Sequence, residues 1–389
     1  MKKLPFIAAL LLIIIGCSSV SKMFDAGTVK AQNYTEVIAF DYSNNFALIP
    51  VEINNKTYTF LVDTGAPTVI STAIYEDLNI KKFKGIYIAD SQGQRNQQKL
   101  VLVPEIKVGN LTYTNIGAVV ANLQNVYEFK CMGIDGIIGA NQMAKSFWKF
   151  DYEKKKLTIT DKLENYDLTS FTDTIPFTIS TQKTPYIKGY VNGLNTSFTY
   201  DTGKSGYIDV NKKLADFKDA PGFTSYGNSS IGLYDAKDSV RTRTIKVDSL
   251  RIGNISMGAQ VVDLDYGGLI GNDFMNKFEI VMDWKSQKIY LKKILDFEKA
   301  IKTTFGFGFR IKDNKAIVTS LVKEYPLDLQ PGDVIQTINE FDLSNISDEN
   351  SCEIYKKVVL KGLDSIVVNY KRGEQELSTT IVRKTMISE

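Results

Sequence analysis

The sequence predicts an all-β-dominated chain of two related lobes followed by a smaller domain of strands with one helix. Three observations carry this. The chain holds 20 Tyr and 21 Phe with frequent Val, Ile and Thr, residue types that fit a pleated, half-buried surface. Turn signals at Asn54-Asn55 and Asn192-Gly193 each separate two alternating β-rich runs, as in tight hairpins. Finally, three stretches occur twice in the same order. Val51 to Ser71 matches Tyr190 to Val210, and each contains Asp-Thr-Gly, with Asp63 and Asp201 138 positions apart. The stretch from Ile106 matches that from Leu250, and the stretch from Asp135 matches that from Gly267.

The elements follow in order. Leu4 to Ile15 is an apolar run of 12 residues after Lys2 and Lys3, too short to span a bilayer but suited to the apolar core of a signal peptide. Ile14-Ile15-Gly16-Cys17 resembles a bacterial lipobox, although Ile stands at both positions where that pattern prefers Leu and then Ala or Ser. The resemblance implies cleavage before Cys17, lipidation of that residue, and an extracytoplasmic protein anchored to the bacterial outer membrane and facing the periplasm. Residues 1–16 are therefore expected to be the leader and 17–33 a polar tether. A first lobe over 34–162 and a second over 163–297 follow from the repeat, with a polar link at Leu163–Asp173. Within each lobe the pattern predicts strands and one short helix, near Gln142–Phe147 and Phe274–Phe278. From about Ala300 the period changes. Strands are expected at Ala316–Val322 and Ser365–Tyr370 with a helix over Glu349–Leu360, giving a third unit over 298–386.

Composition excludes several chemistries. Histidine is absent, so no Ser-His-Asp triad, Cys-His pair or His-ligated zinc can be built. Acid–base work falls to carboxylates, Lys, Tyr or a thiol. A net charge of +3 with no basic stripe does not point to nucleic acid. Besides Cys17 there are only Cys131 and Cys352, which read as small buried apolar residues; a disulfide between them is possible but has no support in the sequence.

The doubled motif resembles the retropepsin-like and pepsin-like aspartic proteases over about residues 34–295. It rests on Leu61-Val62-Asp63-Thr64-Gly65-Ala66 with Asp135-Gly136-Ile137-Ile138-Gly139, and on Tyr200-Asp201-Thr202-Gly203 with Gly268-Leu269-Ile270-Gly271. The resemblance implies two β-barrel lobes about a pseudo-twofold axis, each donating one catalytic Asp, here Asp63 and Asp201. Two carboxylates held about 3 Å apart share one proton, so one serves as base and the other as acid, with no metal or cofactor. Gly65 and Gly203 would let backbone N–H groups reach the carboxylates, and Thr64 and Thr202 would, by resemblance, lock the lobes together. Hairpins over Ile86–Val103, with its polar tip Ser91 to Arg95, and over Tyr226–Tyr234 are candidate flaps. The sequence departs from the pepsin-like pattern at Ala66 and Lys204, where a hydroxyl is usual. Without those hydroxyls the pair's pKa should rise; an inward Lys204 would hold both carboxyls as anions. Lys204 therefore separates two readings: aimed at the pair it favours a degenerate, peptide-binding scaffold, and turned outward it favours an enzyme.

The C-terminal unit resembles PDZ domains of the bacterial periplasmic-protease type through Gly306-Phe307-Gly308-Phe309-Arg310 and Leu329-Gln330-Pro331-Gly332-Asp333-Val334-Ile335. The resemblance implies that Phe307, Gly308 and Phe309 form a loop that receives a terminal carboxylate, with a peptide added along the adjoining strand. The expected activity is that of a membrane-tethered aspartic endopeptidase acting on peptide or protein substrates.

Overall fold

The structure, a computed structural model, describes residues 19–89, 93–227, 232, 240–357, 360 and 362–389. The leader and Cys17 lie outside the described residues, as do Ser91 and Gln92 of the first candidate flap and most of 228–239 in the second. What is described is dominated by β structure, in agreement with the sequence.

Both hairpin turns form where the Asn/Gly signals stand. Asn54 and Asn55 take φ of 52° and 60°, and Asn192 and Gly193 take 48° and 78°, the left-handed pair that matches the twist of the flanking strands. The first turn joins Phe46–Ile53 to Lys56–Asp63, and the second joins Pro185–Val191 to Leu194–Tyr200. Each hairpin therefore ends just at, or one residue before, an Asp-Thr-Gly.

The lobes are joined by one antiparallel sheet. Its strands run Thr35–Ala39, Lys156–Thr160, Phe147–Asp151, Phe278–Asp283, Lys288–Lys293 and Asp173–Ile179, so that each lobe supplies three strands. The halves meet where Trp148 faces Met282 and Phe150 faces Ile280, all four fully buried. Burying such side chains contributes about 1.5–3 kcal/mol each, so this seam helps to brace the lobes. The short helices sit at Ala140–Met143 and Asn272–Met275, two residues earlier than the sequence suggested. The apolar positions assigned to their ends instead start the strands of the seam, because burial on both faces makes strand and helix patterns alike over so short a run.

Two expectations are overturned. The segment given as a polar tether is helical over 19–25 and then forms the strand Thr28–Val29, paired with Thr114 and Tyr113. Val20, Met23 and Phe24 recur at helical spacing, and Phe24 is buried in the first lobe's second core with Val20 and Met23 against it. Cys131 and Cys352 form a disulfide rather than lying apart as apolar residues. They sit on the helices Tyr127–Met132 and Ser351–Lys357, which a 221-residue separation brings to 4.8 Å between Cα atoms.

The C-terminal unit has its own core, with Ala316, Val318, Ile335, Ile338, Ile366 and Val368 among its buried residues. Phe307–Lys312 pairs with Lys315–Val322, which pairs with Val334–Ile338, and Ser365–Arg372 connects to Gln375–Val382. Asp333, nearly fully buried, accepts two bonds from Arg372 and one from the Gln330 N–H, which explains why the Pro-Gly-Asp turn carries an acid. This unit is docked on both lobes. Ser225, Tyr226 and Gly227 of the second lobe pair with Val322, Leu321 and Ser320. On the first lobe, Arg310 makes a two-pronged ion pair with Glu128, and Tyr127 donates to the Ser351 carbonyl beside the disulfide.

Candidate active site

Asp63 ends the strand Lys56–Asp63, and Asp201 directly follows Leu194–Tyr200. Beneath each, the apolar-apolar-Gly step runs as a parallel strand. Gly139 stands opposite Asp63, and Ile270 opposite Tyr200. This fixes both acidic loops from below and presents them to each other across the lobe boundary.

The two loops are interlocked by their threonines. Thr64 N–H donates to Thr202 Oγ1 at 3.0 Å and Thr202 N–H donates to Thr64 Oγ1 at 3.0 Å. Each hydroxyl then donates onward, Thr64 to the Tyr200 carbonyl and Thr202 to the Val62 carbonyl at 2.8 Å. Both threonines are buried, so every one of these bonds replaces water that cannot enter. Thr202→Val keeps the shape but strands the Thr64 N–H and the Val62 carbonyl. It is expected to cost about 2–4 kcal/mol in denaturant unfolding, with Thr202→Ser recovering most of it.

The glycines of the motif are required by close approach. A Cβ on Gly65 would lie 2.5 Å from the Asp201 carboxyl carbon, and one on Gly203 would lie 2.3 Å from Asp63 Oδ2. With no side chain there, Gly65 N–H donates to Asp63 Oδ1 at 2.7 Å, Ala66 N–H to the same oxygen at 3.1 Å, and Gly203 N–H to Asp201 Oδ1 at 2.8 Å. Each carboxyl therefore lies against the glycine of the other's motif, which brings the two acids close to each other. Burial lifts the pKa of Asp63, while the bonds from Asp201 and from the backbone N–H groups pull it back. Asp201 is driven well above the ordinary carboxylate range, first by burial and then by the Asp63 charge. Asp63 accepts two backbone N–H bonds and Asp201 one, so a negative charge on the pair is better held at Asp63.

Lys204 follows neither arrangement that the sequence posed. It is largely buried, and its ammonium bonds Asp209 Oδ2 at 2.9 Å instead of reaching either solvent or the acidic pair. Burial pushes Lys204 toward neutrality, but the Asp209 carboxylate outweighs it and leaves the ammonium above its ordinary pKa. Asp209 itself is raised by burial to about 6, against the pull of Lys204. The Lys204 charge is thus engaged by a carboxylate outside the pair.

Asn272 was missed. Its amide donates to the Thr202 carbonyl and to the Asn45 carbonyl, both at 2.7 Å, tying the second acidic loop to the first lobe. Asn45 returns a bond to Asp273 at 2.7 Å. In the first lobe Asn141 accepts from Thr68 N–H at 2.7 Å. The signal was present, since an Asn stands one or two residues after the repeated Ile-Gly in both copies.

A cavity of about 280 Å³ opens onto both acids, lined by Ala66, Phe129 and Ile137 below and by Tyr87, Ile88 and Ala89 above. Tyr87 belongs to the hairpin of Lys84–Ala89 with Arg95–Val108, the first candidate flap, and is 64% exposed over this space. Gly232, from the second candidate flap, also lines it. Phe307, Gly308 and Phe309 lie away from this cavity, in a strand rather than the loop that the sequence suggested.

Residues 49–141 match the model of a family described as aspartyl protease, a span that holds Asp63, Thr64, Gly65 and Gly136–Gly139. Among solved structures, the chain is similar to the crystal structure of Basic 7S globulin from soybean, at 11% identity and a TM-score of 0.40, covering 69% of this chain and 95% of that one. No curated protein matches the chain.

Proposed function

We propose that the chain is an aspartic endopeptidase, held outside the cytoplasm by lipid on Cys17, with Asp63 and Asp201 as its catalytic pair and a PDZ-type domain over residues 298–386. One observation carries the proposal: two carboxyls from equivalent places in a repeated lobe, Asp63 buried and Asp201 half-buried, each lie against the glycine of the other's motif, with a threonine lattice between the loops and a cavity opening onto both.

The unequal surroundings assign the roles. Asp63, which accepts from two backbone N–H groups, is the anion that takes a proton from a water molecule as the water oxygen attacks the scissile carbonyl carbon. Asp201, held protonated, gives its proton to the carbonyl oxygen. The product of this step is a neutral tetrahedral diol, with the proton now on Asp63 and the charge on Asp201. Collapse returns a proton from the diol to Asp201 and moves the Asp63 proton to the leaving nitrogen, breaking the C–N bond and restoring the starting state. Lys204 does not hold both acids as anions while Asp209 engages it, which supports catalysis over a purely binding role.

The test is hydrolysis of a denatured protein or a quenched peptide library by the purified chain, scanned from about pH 3 to 7, with and without a statine-type transition-state mimic. Cleavage that the mimic blocks is expected. A folded chain with no turnover anywhere in the range would overturn the proposal.

A further inference from the structure

We propose that the C-terminal domain forms one wall of the substrate cleft, so that an extended, apolar-rich polypeptide is bound from the acidic pair outward along the strand Phe307–Lys312. This rests on the endopeptidase reading of the site and names its substrate class.

A second cavity, of about 760 Å³, shares Phe129, Asp201 and Gly203 with the cavity over the pair and runs from there to the C-terminal domain. Its far wall is Gly308, Phe309 and Arg310 of the strand, Thr319 and Ser320 of the neighbouring strand, and Tyr355 of the helix Ser351–Lys357. Continuity with Asp201 is what selects the occupant. A chain placed for cleavage between Asp63 and Asp201 has this channel in front of it on the Asp201 side.

The chemistry of the walls selects the side chains. Phe46, Phe129, Met132, Leu269, Phe309 and Tyr355 supply apolar and aromatic surface. Most of the charges in the channel are already paired. Arg310 is held by Glu128, and Lys204 by Asp209. A ligand that relied on its own charge would have to break one of these pairs in a partly buried setting, whereas an apolar side chain gains from the aromatic surface at no such cost. Phe307–Lys312 pairs along one edge with Lys315–Val322, and no strand pairs with its other edge among the described residues. Strand addition there supplies main-chain bonds that do not depend on sequence. The geometry of the wall is set by the attachments already described: the Cys131–Cys352 bridge and the Arg310–Glu128 pair fix the domain to the first lobe, and the pairing of Ser225–Gly227 with Ser320–Val322 fixes it to the second. Phe129 lies two residues from Cys131, so the bridge holds both sides of the channel together.

The experiment uses nested quenched peptides that share one cleavage site and differ only in their length on either side of it. Lengthening with apolar residues on one side is expected to raise kcat/KM about tenfold, the size of one well-buried aromatic contact, and lengthening on the other side to do much less. In Phe309→Ala and in Tyr355→Ala the ratio of long-peptide to short-peptide kcat/KM should fall toward one, with Phe309→Leu keeping most of it. Because the readout is a ratio within one preparation, a misfolded fraction cancels. A ratio unchanged in both Ala variants, or no gain from length in the parent, overturns the proposal. If no peptide is cleaved, the endopeptidase reading fails and anisotropy of the same peptides, labelled, decides the channel separately. Binding that tightens with length and loses this in Phe309→Ala sustains it, and binding indifferent to length or variant overturns it.

Discussion

Asp201→Asn is expected to abolish peptide cleavage, by about a thousandfold or more, and at the same time to make the protein more stable at neutral pH. The first effect follows because the amide cannot give up a proton to the carbonyl oxygen. The second follows from the direction of the pKa. Asp201 is pushed well above its ordinary value by burial and by the Asp63 charge, so the folded chain keeps a proton that the unfolded chain has released. A group of this kind adds stability below its unfolded pKa of about 4, and that contribution is lost as pH rises toward its folded pKa. The parent should therefore lose thermal stability as pH climbs from about 4 to 7 by an amount that Asp201→Asn does not show. Asp63→Asn should be equally inactive but gain less stability, because two backbone N–H groups already compensate the Asp63 anion, against one at Asp201. Activity has the matching dependence: it needs one proton on the pair, so its alkaline limit lies well above the ordinary carboxylate range. Melting curves and peptide hydrolysis on the same three proteins check this. Parent-like cleavage by either variant would remove the pair from the mechanism, and identical melting curves at every pH would show that Asp201 is not buried as an acid.

The second large effect concerns the disulfide. Cys131→Ala with Cys352→Ala is expected to destabilise the chain by about 3–5 kcal/mol, since the bridge closes a span of 221 residues and such closures restrict the unfolded chain strongly. Reductant should shift the parent by the same amount and leave the double variant where it is. The C-terminal domain should then loosen from the first lobe, where the Arg310–Glu128 pair and the Tyr127 contacts remain among the described residues, while its strand pairing keeps it on the second. A parent curve insensitive to reductant, coincident with that of the double variant, would mean the bridge carries no stability.

How much of this was legible depended on range along the chain. The doubled Asp-Thr-Gly, the Asn turns and the apolar steps under each acid are local patterns, and local patterns reflect local sterics: a left-handed turn needs Asn or Gly wherever it occurs. Recurrence at a fixed spacing then placed Asp63 and Asp201 in equivalent positions before any contact was known. The helical spacing of Val20, Met23 and Phe24 was equally local but lay next to an apolar leader, and its polar neighbours masked it. Asn272 failed for another reason. A buried Asn and a turn Asn look alike in sequence, and only the partners Thr202 and Asn45 tell them apart.

By itself the sequence determined the β class, the repeat and the two acids that face each other. Each of these rests on short-range preference or on self-similarity, which a single chain displays openly. Tertiary structure alone decided that Lys204 is spent on Asp209, that Cys131 meets Cys352, and that the C-terminal strand looks into the channel leading from Asp201. Those outcomes depend on which surfaces meet when three separately patterned units pack. Contacts across 182 to 221 residues, such as Arg310 with Glu128 or the disulfide, are chosen by shape and charge complementarity between finished surfaces, for which no local period is required.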